Sequence, residues 1–168
     1  MKNRRFLRVL LTMVMMMSMF ASIPFAALAE AASIVIVTDW DGLQDAVNKA
    51  SSGQVIKLGA DITCEKNSGD RIKVDGKTVT LDLNGHVLDR NRDKEDGNGH
   101  VIEVLGKSVL TITDSKGGGV ITGGYAKRGG GVNIASDSTC ILKGGTIRGS
   151  LSHIPAISLC HLNKQQDK

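Results

Sequence analysis

The chain is poor in aromatic residues. Of 168 residues, one is Trp, one is Tyr and three are Phe, and every Phe lies within the first 25 positions. A wide globular core normally draws much of its buried area from large rings, so that kind of core is excluded. Proline is nearly missing, with only Pro24 and Pro155. No C-x-x-C pair and no spaced His pair accompanies the three cysteines Cys64, Cys140 and Cys160. Cys160 and His161 beside His153 therefore do not make a zinc signature.

Net charge is also lacking once the first 29 residues are set apart. Lys2, Arg4, Arg5 and Arg8 open the chain, Phe6 to Phe25 is almost wholly apolar, and Ala27-Leu28-Ala29 precedes Glu30. That order of basic, apolar and small residues predicts a secretory signal peptide over 1–29, cleaved after Ala29. The segment holds four of the 21 Lys and Arg and none of the 17 Asp and Glu, so the remainder has 17 of each. The overall +4 thus belongs to the export signal and gives no argument for nucleic acid. Secretion or the cell surface is the expected location, with no membrane span after cleavage.

What remains is rich in glycine and in short alternating apolar runs. All 20 glycines lie beyond the signal segment. Ile56 and Leu58, Leu81 and Leu83, Leu110 and Ile112, Cys140 and Leu142 form one series. Ile62, Val87, Ile121 and Ile147 form a second. Ile72 and Val74, Ile102 and Val104, Val132 and Ile134, then Ile157 and Leu159 form a third. The three series recur in the same order at a period of about 25 to 31 residues. Alternation within each run is strand period, one side chain in and the next out. The corners Gly59-Ala60, Asn84-Gly85 and Gly144-Gly145 carry the residues that best tolerate positive φ. Stacking such turns lines up one apolar core that no single turn could bury. The predicted fold is all-β, a single-stranded parallel β-helix of about four turns. A β-sandwich is the rival, but it calls for hairpin turns rather than a three-part cycle.

Four segments follow: the signal peptide 1–29, an N-terminal strand and capping helix 30–53, β-helix turns 54–159, and a polar tail 160–168 without a recognisable cap. Ile34 to Val37 reads as the strand. Thr38 or Asp39 caps a helix whose apolar face is Trp40, Leu43, Ala46, Val47 and Ala50. Its expected job is to cover the open first turn, with Trp40 facing the core.

The stretches DWDGLQDAVNKASSGQVIKLGADIT, VTLDLNGHVL, LTITDSKGGGVITGG, GGGVNI and ILKGGTIRG resemble right-handed parallel β-helix proteins of the pectate-lyase-like superfamily. The resemblance is strongest to secreted, repeat-bearing bacterial surface proteins within it and runs from about Asp39 to Ser150. Such proteins are usually much longer, which implies that this chain is an N-terminal fragment of a longer one. The resemblance also implies what an enzyme of the group would show: carboxylates that bind calcium, and a basic residue, on one outer face. The expected outward residues are Lys57, Asp82, Thr111 and Ile141 on the first face and Lys73, Glu103 and Asn133 on the third. Neither ladder gathers carboxylates, and Lys73 beside Glu103 reads as a solvated cross-strand pair.

The charged run Asp89 to Gly99 begins with calcium-loop spacing. Lys94 stands where such a loop needs glycine, and His100 where it needs a bidentate Glu, so a solvated loop is expected. Gly129-Gly130-Gly131 lacks the Lys of a phosphate loop and reads as backbone geometry. His86 and His100 have no nucleophile motif near them. Cys64 and Cys140 are about 14 Å apart along the stack, beyond disulfide reach.

No catalytic, cofactor-binding or metal residue is assigned. The function read from this pattern is an exported, non-enzymatic surface module with a structural or adhesive role. A fragment of a carbohydrate-active enzyme and a glycan-binding module, with Tyr125 as the exposed ring, stay open beside it. An extracellular glycan or a cell-surface molecule is the partner class, and self-association through an uncapped C-terminal turn is expected.

Overall fold

The computed structural model describes residues 33–150 and the backbone strand 160–162. The signal segment, Ile157, Leu159, His153 and 163–168 lie outside the described residues. Within them the protein is predominantly β, with parallel sheets and one short helix. β1 (Ile34–Val37) and α1 (Trp40–Lys49) come first. The first sheet then takes β2 (Gln54–Leu58), β5 (Thr78–Asp82), β8 (Val109–Thr113) and β11 (Thr139–Leu142). The second takes β3 (Ile62–Thr63), β6 (Val87–Asp89), β9 (Val120–Thr122) and β12 (Thr146–Ile147). The third takes β4 (Ile72–Asp75), β7 (Ile102–Leu105) and β10 (Val132–Ile134). The chain visits the sheets in rotation, and all described pairings are parallel. β13 (Cys160–Leu162), a segment that the sequence places in the tail, lies beside β11, so the first sheet runs β1-β2-β5-β8-β11-β13.

Inward residues stack rung on rung. In the third sheet Ile72 pairs with Ile102 and Ile102 with Val132, while Val74 pairs with Val104 and Val104 with Ile134, as the repeat predicts. In the first sheet Ile56 meets Leu81, Leu81 meets Ile112 and Ile112 meets Leu142. Each fully buried Ile, Leu or Val contributes roughly 1.5–3 kcal/mol of apolar transfer.

Two register expectations are corrected. Leu110 stands beside Val79, not Leu81, because β5 and the residue after it carry three apolar residues in one phase, Val79, Leu81 and Leu83. The residue after Thr113 at the next corner is Asp114, and its carboxylate accepts from the backbone N–H of Gly85 and of Gly119, both at 2.7 Å. Leu83 fills the space left by Gly119 and Gly145, where a Cβ would come within 2.6 and 2.5 Å of it. Outward, Asp82 therefore neighbours Thr113, and Thr111 neighbours Thr80. In the second sheet Leu88, not Val87, is the inward partner of Ile62 and Ile121.

Asn84 and Gly85 both have positive φ, 52° and 82°, and the Asn84 side chain donates to Leu58 O at 2.8 Å. The corner thus turns and also ties one turn to the one before it. Gly59 does not have positive φ. It is small because a Cβ there would sit 2.8 Å from Ile36 Cγ2.

α1 packs against β1, β2 and β4. Asp39 is the cap residue, its carboxylate accepting from Gly42 N–H at 2.8 Å. Trp40, Leu43 and Val47 are buried against the core. Gln44 does more than face solvent. Its carbonyl oxygen accepts from Lys73 N–H at 2.8 Å and its amide donates to Lys73 O at 3.3 Å. Lys73 lies on β4, the edge of the third sheet, so one side-chain amide takes the place of a neighbouring strand there.

Candidate functional site

A groove of about 490 Å³ lies between α1 and β4. Trp40 lines it, with Asp41, Asp70 and Asp75 set against Arg71, Lys73 and Lys77. Three acids and three bases leave the lining without net charge. Several of these groups are already held. Lys77 Nζ donates to Asn48 O at 2.7 Å, and Ser68 Oγ donates to Asp70 at 2.7 Å. Trp40 Nε1 is buried with no hydrogen-bond partner.

Behind Trp40 stands Arg90, 0 % exposed, its guanidinium 5.7 Å from the centroid of the Trp40 ring. It donates to Ser68 O at 2.6 Å and to Cys64 Sγ at 3.3 Å. Burial lowers the Arg90 pKa and pushes the Cys64 thiol up, so the thiol stays protonated. Arg92 joins it, donating to Ser68 O at 2.7 Å and pairing with Asp96 at 3.0 Å. The run from Asp89 is solvated only in part: residues 93–95, 97 and 98 are exposed, while Arg90 and Arg92 turn inward. Its two arginines point into the protein because Leu88 is inward, and a strand that buries residue 88 also buries residue 90. Misphasing that strand by one residue hid Arg90 from the sequence reading, because Val87 and Leu88 are both apolar and leave the phase open.

The carboxylates of the same run are spent locally. Asp89 accepts from Asn91 N–H at 2.8 Å, Asp93 pairs with Lys66 at 2.9 Å, and Asp96 accepts from Asn98 N–H at 2.8 Å. Among the described residues no group of three or more His, Cys, Asp and Glu side chains is placed to hold a metal ion.

A second polar cluster sits where the third sheet faces outward. Glu103 is the register partner of Lys73, yet its ion pair is with Arg71, Nε and Nη2 both 2.7 Å from Oε2. Lys73 gives up the expected pairing because its backbone is held by Gln44 and Arg71 offers two donors. His100 is 3 % exposed and its Nε2 lies 3.6 Å from Glu103 Oε1, too far for a hydrogen bond. Burial depresses the His100 pKa against the pull of Glu103. His86, at a corner, contacts Asp61 at 3.1 Å. The Val87 N–H and His86 together hold the Asp61 carboxyl below its ordinary value.

On the first sheet Lys57 pairs with Asp82 at 3.0 Å. Burial raises the Asp82 pKa, but the Ser115 backbone and hydroxyl, then Lys57, outweigh it and bring the carboxyl below the usual range. Thr111 and Ile141 lie side by side on the same face, and Asn133 beside Glu103 on the third. The Gly129-Gly130-Gly131 run serves as backbone, with Gly130 and Gly131 carbonyls accepting from Val101 N–H at 3.1 Å. Tyr125 is half-buried and its backbone bridges to Gly99. Cys64 and Cys140 are both buried. No family model matches this chain, and neither a curated protein nor a solved structure matches it.

Proposed function

We propose that the protein is an exported surface module with a structural or adhesive role, wound as a right-handed parallel β-helix of the pectate-lyase-like kind. One observation carries the reading: the carboxylates of the outer ladders, Asp82 and Glu103, are each held in an ion pair. Lys57 holds Asp82 and Arg71 holds Glu103. Such pairs stiffen a stack and leave little carboxylate poised for proton transfer. Incubation with a panel of polysaccharides, acidic and neutral, should yield neither new reducing ends nor unsaturated products. Appearance of either would replace this reading with the carbohydrate-active one.

The groove beside α1 favours a second reading, a glycan-binding module. Balanced charge and a mixed set of donors and acceptors suit a neutral polyhydroxylated ligand better than an ion. Trp40 is the only Trp in the chain and lines the groove. Its fluorescence should shift with a neutral oligosaccharide if this reading is right and stay constant if it is not.

A further inference from the structure

Of the three sheet edges that face the N-terminal side, β1, β3 and β4, two are treated differently. β4 is an edge strand and its backbone is covered by the Gln44 amide. β1 is also an edge strand, the first of its sheet, and among the described residues nothing pairs with its far side. It is also the most exposed apolar strand described: Ile34, Val35 and Ile36 are 59, 37 and 66 % exposed. An open strand edge with apolar side chains is a template for another strand. A cavity of about 340 Å³ flanks it, lined by Val35, Ile36 and Ala46 and by the charged Asp45 and Lys49.

We propose that β1 is a self-association edge, at which two copies of the chain pair their β1 strands antiparallel about a twofold axis. The backbone supports this pairing. Val37 O accepts from Gly59 N–H at 2.8 Å. Val37 and, by alternation, Val35 therefore spend their backbone groups on β2. Those of Ile34 and Ile36 face the open side. In an antiparallel pair centred on Val35, Ile34 of one copy lies opposite Ile36 of the other and exchanges both backbone bonds with it. Val35 then meets Val35 in a non-bonded pair. The same centring places Ile34 and Ile36 of both copies on one outer face, as a four-isoleucine cluster. One register thus satisfies the free backbone groups and the exposed side chains together.

A second copy fits this edge better than an unrelated strand, because the pattern is its own complement. The flanks also carry both signs, Asp39 and Asp45 with Lys49, so a twofold does not force like charges into contact. The contact closes on itself and stops at two copies, unlike a head-to-tail join. Four residues bury less than the ~1,200 Å² of a stable complex, so the dimer is weak and concentration-dependent.

Sedimentation velocity on the full chain over a concentration series tests it. The mass should rise to twice the monomer and stop. The double variant Ile34→Lys with Ile36→Lys should weaken association by at least about tenfold, since like charges would face each other directly. Ile141→Lys, on the same face but away from the edge, should leave it unchanged. Circular dichroism should show the native spectrum for both variants. A monomer at every concentration, growth beyond two, or unaltered association in the double variant would each overturn the proposal. Hydrogen exchange separates one further case. If the Ile34 and Ile36 amides are protected in dilute monomer, the edge is covered by the chain's own residues and the proposal fails.

Discussion

Arg90 takes a guanidinium into the interior, where its partners are a carbonyl, a thiol and a ring rather than a carboxylate. Much of its contribution is therefore volume and cation–π contact with Trp40. Arg90→Ala leaves a cavity and should cost about 2–4 kcal/mol. Arg90→Met keeps the bulk and removes the desolvated charge, so its cost should be about 1 kcal/mol or less. Urea unfolding followed by Trp40 fluorescence measures both, and equal losses would show that the charge matters more than the bulk. His100 makes a pH argument at the same scale. The groups that face it are Glu103, Arg71 and Arg90. Its folded pKa lies below the 6.5 of an ordinary His, so the unfolded chain takes the proton first. Its share of stability is full above that value and is lost as pH falls from there through the folded pKa. His100→Gln should flatten the decline on the acid side of that value, and an unchanged slope would exonerate the residue. Neither role was legible in the sequence. Burial of Arg90 follows from the phase of a three-residue strand, where Val87 and Leu88 are both apolar and composition cannot choose between them. Burial of His100 follows from the close approach of Gly99 to Tyr125, a contact between turns that local pattern does not record.

Among the elements, α1 and the third sheet were the most legible. Asp39 followed by an apolar stripe at helical spacing specifies a start and a face. I-K-V-D and I-E-V-L each offer one pair of inward residues, so only one register buries them. The first sheet was less legible because T-V-T-L-D-L offers three. The Gln44 clamp was invisible, since nothing local marks a helix glutamine that will meet a strand 29 residues away. Gln44→Ala should cost about 0.5–1.5 kcal/mol and speed hydrogen exchange at the Lys73 amide in particular. Asp39→Ala should cost about 1 kcal/mol through the lost cap, with the Lys73 amide little changed. Loss of Lys73 protection in both variants would mean that the helix, and not the one amide, guards the edge.

For the molecule as a whole, stability rests on ladders of inward residues held in one register, and the outer face can report which register it is. Ile112 is fully buried between Leu81 and Leu142. Ile112→Asp would bury an unpaired carboxylate at a cost of several kcal/mol, comparable with the roughly 5–15 kcal/mol of net stability that a whole domain holds. That substitution unfolds the stack in either register and does not discriminate. The outward threonines do. Asp82 is the register partner of Thr113, while the repeat read from sequence sets it beside Thr111. Thr113→Asp therefore places a second carboxylate directly opposite Asp82, in competition for Lys57, and should cost about 1 kcal/mol more than Thr111→Asp. The difference should shrink only slightly as salt is added, because Asp82 is buried at this position. Thr113→Lys, by contrast, should be neutral or mildly stabilising. If Thr111→Asp proved the more damaging of the two acids, the first sheet would be shifted by two residues from the register described, and Leu83 rather than Leu81 would belong above Ile112.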